Sequence, residues 1–176
     1  KEIPRKVELY AQVRNLNTYQ FNISDKLVGL EKIIGSKDNL LTISWLEKAL
    51  HASRAVCRVV RADQESGTGF ITQDGYLYTN HHVLENEDDA KGAIIEFNYE
   101  VGLTGTVKPL TQYKLDAADF VTSPVPEFDF TRVKVIDNSE KPLSNWGYLE
   151  FDPSAMPAIG EAVTIIQHPS GGDKRI

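Results

Sequence analysis

The 176 residues carry a net charge of −6, with 41% apolar and 25% charged side chains, the composition of a water-borne globular domain with chain enough for one real core. No apolar run approaches the ~20 residues that a membrane span needs, so no membrane segment is read; no basic cluster with interleaved aromatics is present, so nucleic acid is not an expected partner. The single cysteine, Cys57, has no second thiol to pair with; set between Val56 and Val59, it reads as a buried structural thiol and leans the chain towards a reducing, cytoplasmic setting, with a secreted bacterial one as the alternative.

Residues 1–40 mix Lys, Glu and Asn with apolar positions at helical spacing, Leu27, Leu30, Ile33 and Ile34, before a Gly35 stop, which predicts a short helix in a linker segment. Residues 41–54 form the next unit: Ser44 as N-cap with Glu47 three positions on is a capping box, opening a helix that carries Trp45, Leu46, Ala49 and Leu50. From residue 55 to 140 the texture changes to short valine- and aromatic-rich runs. Strands are predicted at Ala55 to Arg61, Gly69 to Gln73, Tyr76 to Asn80, Ala93 to Tyr99, within Gly105 to Leu115, and at Phe130 to Ile136. Pro124 and Pro126 fix the approach to the last of these, because proline cannot donate to a ladder.

The most informative stretch is Gly67-Thr68-Gly69-Phe70-Ile71, closed by Asp74-Gly75 and followed by Tyr76-Leu77-Tyr78-Thr79-Asn80-His81-His82-Val83. It reads as a tight hairpin that delivers a histidine at the end of a buried strand, where a general base is held with little freedom to wander. Phe128, Phe130, Val133 and Val135 surround Asp129 with apolar side chains, and a desolvated carboxylate of that kind orients an imidazole. Neighbouring residues on a strand face opposite ways, so His81 and His82 are not expected to grip one metal ion. The acidic run Glu85-Asn86-Glu87-Asp88-Asp89 lacks the alternating calcium-ligand pattern with its central glycine and is read as a solvated loop. No metal and no cofactor are expected. His51 reads as an exposed helix residue, and His168, before Pro169, as a structural residue at a strand end, with the border of a substrate pocket as its alternative.

Glycine-threonine-glycine-phenylalanine, then threonine-asparagine-x-histidine-valine, then aspartate-phenylalanine-threonine resembles the chymotrypsin-fold, trypsin-like serine proteases, nearest their bacterial glutamyl endopeptidase-like and HtrA-like branches. The resemblance implies an all-β double β-barrel, with residues 55–140 as the first barrel and 141–176 as the start of the second. It puts the general base on His82 and the orienting acid on Asp129, 47 residues apart, in the order His, Asp, then Ser. The implied activity is peptide-bond hydrolysis by acyl transfer, on a protein or peptide substrate.

The nucleophile that the family carries in a glycine-x-serine-glycine turn is not found: Ser139, Ser144, Ser154 and Ser170 all lack that setting. The chain is therefore expected to be the front part of a protease domain, inert by itself, with Ser or Cys open as the nucleophile. An inactive chymotrypsin-fold binding or scaffold module is the alternative. Ile43 to Arg54, Phe97-Asn98-Tyr99-Glu100, Trp146-Gly147 and Ile165-Ile166-Gln167-His168-Pro169 are also similar to bacterial intracellular trypsin-like proteases joined to small helical adaptor domains. That likeness implies an adaptor tail in residues 1–40 and a regulatory partner acting through it.

Overall fold

The computed structural model describes residues 41–154, 157–159 and 163–176. The helix expected around Leu27 to Ile34 lies outside the described residues.

Helix α1 (Ile43–Ala55) runs straight into strand β1 (Val56–Val60). It starts two residues earlier than the capping box predicts: Thr42, extended at φ −66°, is the N-cap, and its hydroxyl meets the Ser44 hydroxyl at 2.9 Å instead of a backbone amide. Ser44 is therefore inside the helix. Trp45 and Ala49 are half-buried, whereas Leu46 and Leu50 stay largely in solvent.

Strands β2 (Ser66–Ile71), β3 (Tyr76–Thr79), β4 (Ile94–Phe97), β5 (Thr111–Ser123) and β6 (Phe130–Ile136) complete the sheet. All neighbours are antiparallel, in the order β1-β2-β3-β6-β5-β4, and β4 pairs back onto β1 to close a six-stranded barrel. Inside it, Phe97, Ile71, Leu77, Ile95, Val59, Val133 and Cys57 are fully buried. The Cys57 thiol, pushed up to about 12 by burial, contacts Gly69 O at 3.5 Å, as its structural reading requires.

Several boundaries move. β2 begins at Ser66, three residues ahead of the expected start, because residues 66–70 pair in register with β1 from Val60 back to Val56. β5 starts at Thr111 and runs to Ser123, well past Leu115; residues 111–118 alternate buried and exposed, and a register shift between Asp116 and Phe120 lets the strand bend round the barrel. The segment before it is a loop, with Gly105 at φ +79° and Val101 bridged to Val107. The acidic run is not a loop. Helix α2 (Glu87–Gly92) begins there, with Asn86 accepting from Asp89 N at 3.0 Å and Glu87, Asp88 and Asp89 in the first turn, where carboxylates complement exposed N–H groups.

Beyond β6, two 3₁₀ turns (Leu143–Trp146 and Pro169–Gly171) and isolated bridges at Asn138–Lys141 and Gln167–Arg175 are the regular structure among the described residues. Trp146 stacks on Phe97 at 4.8 Å and donates to the Tyr113 hydroxyl at 2.8 Å, closing one end of the core. The last stretch is tied down by polar contacts: Arg58 donates to Gly171 O at 2.7 Å, His168 N to Thr68 Oγ1 at 2.9 Å, and Lys174 Nζ to Ser53 O at 2.7 Å. No helix among the described residues is long and apolar enough to cross a membrane.

Gly69 sets the close approach of the hairpin strands. A Cβ at Gly69 would stand 2.6 Å from Leu77 Cδ1 and 3.0 Å from Tyr78 O, the second a backbone atom with no room to move. Gly69→Ala is expected to destabilise the domain by about 1–3 kcal/mol, read as a lower denaturant midpoint at unchanged slope; an unchanged midpoint would show that the strands can separate there freely.

Candidate active site

His82 and Asp129 come together because of how β3 and β6 pair. Thr79, the last residue of β3, faces Thr131, the second residue of β6. Their continuations, the turn Asn80–Leu84 and the residue Asp129, therefore leave the barrel side by side. The turn is closed by Val83 N donating to Asn80 O at 3.1 Å. Gly67 leaves it room: a Cβ there would lie 2.5 Å from Val83 Cγ2.

Within this frame His82 Nδ1 lies 3.0 Å from Asp129 Oδ2 and 3.2 Å from Oδ1, and the His82 backbone N–H also donates to Oδ1 at 3.2 Å. Asn80, not singled out from the sequence, donates its amide to Asp129 Oδ2 at 3.1 Å and to Asp129 O at 3.2 Å. An ionised carboxylate only accepts, so His82 must carry its proton on Nδ1, and the neutral ring keeps its lone pair on Nε2. The His82 side chain is 64% exposed.

The surroundings differ from the expected apolar nest. Phe128 is 79% exposed and the Asp129 side chain 29% exposed. Asp129 sits in a turn at φ +47°, a left-handed conformation that Asp tolerates better than most residues, so its neighbours in sequence do not enclose it. His82 likewise lies in a turn beyond β3, not on the strand itself. Desolvation, the largest single influence, pushes the Asp129 carboxyl up, but the His82 backbone and ring contacts, the imidazole's charge and the Asn80 amide together outweigh it and hold the group below the usual range. Direct hydrogen bonding, not burial, sets this acid.

His81 points away from its neighbour: its Nδ1 lies 2.7 Å from Thr122 Oγ1 on β5. The two histidines thus serve different elements, and among the described residues no group of three His, Cys, Asp or Glu side chains gathers as metal ligands would. His51 is exposed on α1. His168 is 3% exposed and donates from Nδ1 to Gly172 O at 3.0 Å, while burial pushes its pKa down. It belongs to the wall of a groove of about 880 Å³ that also takes in His82, Asp129, Thr68, Phe70 and Phe151. Both readings of His168, structural residue and pocket border, therefore describe one position. Phe70, Tyr78 and Phe151 make an aromatic cluster there, with Phe151 edge-on to Tyr78 at 4.8 Å.

The family model for the trypsin-like peptidase domain matches residues 67–176, from the hairpin glycine through His82, Asp129 and the His168-Pro169 segment. The chain belongs to the trypsin-like peptidase family. The closed barrel preceded by a short helix is the chymotrypsin-like architecture of that family. A curated relative, the uncharacterized protein y4fB of Sinorhizobium fredii (strain NBRC 101917 / NGR234), is 41% identical over 156 residues, 83% of this chain; the chain spans only 23% of that relative's length. Among solved structures, the crystal structure of Deg5 aligns over 54% of this chain and 44% of its own at 18% identity, with a TM-score of 0.34.

The depressed Asp129 value has a consequence with a definite sign. A carboxyl whose folded pKa lies below its unfolded one stabilises the fold above the unfolded value of about 3.9, and this is lost as pH falls through the folded value. The Asp129 ¹³Cγ resonance is expected to titrate with a midpoint below that of an unperturbed aspartate, and substitution of Asn80 by Ala should move it up. A midpoint at or above about 3.9 would break the hydrogen-bonding account.

Proposed function

We propose that the chain carries the base and the acid of a serine endopeptidase, His82 and Asp129, and that the seryl nucleophile comes from outside these 176 residues. The single observation that carries this reading is the 3.0 Å contact between His82 Nδ1 and Asp129 Oδ2 at the wall of a groove in a trypsin-like peptidase domain. Nε2 of His82, the nitrogen not engaged by the carboxylate, on a side chain 64% exposed, takes the proton of the attacking hydroxyl and later returns it to the leaving amine. Asp129 keeps the ring in the tautomer that leaves Nε2 basic, and stabilises the imidazolium as it forms. The substrate is a protein or peptide, whose apolar side chains have the Phe70, Tyr78 and Phe151 surface to lie against.

A reducing, cytoplasmic bacterial setting fits the lone buried thiol of Cys57. Residues 1–40 are assigned to a regulatory partner, an adaptor protein whose recruitment switches the protease on.

Two experiments test these statements. In the full-length protein, His82→Ala and Asp129→Asn should each lower peptide or ester turnover by several orders of magnitude, on the order of 10⁴ for the acid; hydrolysis intact in both variants would reduce the domain to a binding module. Deleting residues 1–40 should change activation or partner binding while leaving the His82–Asp129 pair unaltered, and an unchanged response would remove the adaptor assignment.

A further inference from the structure

The neighbour of the proposed base is held by a chain of hydroxyls with a fixed direction. Thr122 on β5 and Thr131 on β6 are directly opposed in the ladder. Their hydroxyl oxygens are 2.6 Å apart, Thr131 Oγ1 donates to Leu84 O at 2.7 Å, and His81 Nδ1 meets Thr122 Oγ1 at 2.7 Å. Each hydroxyl has one proton. Thr131 gives its own to the Leu84 carbonyl, which can only accept, so it must receive from Thr122. Thr122 has then spent its proton, with Phe130 O at 3.1 Å as a second, longer acceptor, and the contact with His81 is a bond only if His81 donates. The chain reads His81 Nδ1–H to Thr122, Thr122 to Thr131, and Thr131 to Leu84 O.

Its two ends are the entry and the exit of one turn. His81 and Leu84 flank the segment that carries His82, and Thr131 lies two residues from Asp129, on the strand that Asp129 leads into. Thr131 is fully buried and Thr122 half-buried, so the two hydroxyls anchor a solvent-facing turn to the barrel interior. The His82 ring is 64% exposed, so its place depends on its contact with Asp129 and on where its turn is held.

We propose that His81 is a positioning residue for the hydrolytic site: through Thr122 and Thr131 it sets the turn that presents His82 to Asp129. This rests on the reading of His82 and Asp129 as base and acid, but the relay has an observable of its own. Ring ¹⁵N and ¹H spectra of the 176-residue chain are expected to show Nδ1–H on both His81 and His82, the His82 proton moved downfield by the carboxylate. His81→Leu and Thr122→Val should broaden or erase the His82 Nδ1 proton, while His81→Asn, whose amide can reach Thr122 as Nδ1–H does, and Thr122→Ser should keep it. In the full-length protein the first pair should lower kcat roughly ten- to a hundredfold at nearly constant KM, and the second pair should restore it to within a few-fold. A His82 Nδ1 proton unaltered in Thr122→Val, a shape-conserving change that keeps the barrel, would overturn the relay. So would failure of His81→Asn and Thr122→Ser to rescue. If the spectra follow the relay but His82→Ala leaves hydrolysis intact, the relay stands as a structural clamp and it is the hydrolase reading that falls.

Discussion

The antiparallel pairing of β3 with β6 is the constraint on which the site depends. Leu77 opposes Val133 in that ladder and both are fully buried, so a slip of one residue would turn each out of the core. Burial of two aliphatic side chains therefore fixes, without any direct contact, which residues emerge together at the barrel's rim. The imidazole and the carboxylate meet because the hydrophobic register leaves them nowhere else to go. The same ladder aligns Thr79 with Thr131, and through β5 Thr122 with Thr131, so that a row of hydroxyls underlies the pair.

Polar contacts rather than a dry environment give the pair its geometry. With the His82 side chain largely in water, the attraction between an imidazolium and Asp129 is weakened by the solvent and by salt. Orientation has to come from the number of hydrogen bonds that converge on the carboxylate, two from His82 and one from Asn80 on its oxygens, with a further Asn80 contact on the Asp129 carbonyl. A site of this kind is built for direction first and for electrostatic strength second.

Much of this was legible in the sequence, and the reasons differ from element to element. The hairpin and the sixth strand carry strong local signals, glycine at the close approaches and β-branched residues alternating along Phe130–Ile136, so their place is legible locally, whereas the pairing of His82 with Asp129 is implied by the resemblance to the trypsin-like proteases. The course of β5 was hidden, because Lys114, Asp116 and Asp119 look like loop residues until the alternation with Tyr113, Leu115 and Ala117 is recognised and the register shift is allowed for. The setting of Asp129 departs from what its sequence neighbours imply for a related reason. Phenylalanines adjacent in sequence imply enclosure only where the backbone is extended, and a left-handed residue between them breaks that inference. Asn80 and the threonine row could not be read at all from one chain, since what makes them matter is which strands become neighbours.

Closure of the barrel has a consequence for recognition. Each of the six strands has a partner on both sides over part of its length, so an extended polypeptide could add itself only where a strand outruns its neighbour, as β5 does beyond Lys114, its last residue paired with β4. Away from that stretch, whatever this domain grips is held by side chains and turns at the rim, which makes the tips of the connecting segments a surface on which selectivity can evolve without disturbing the core.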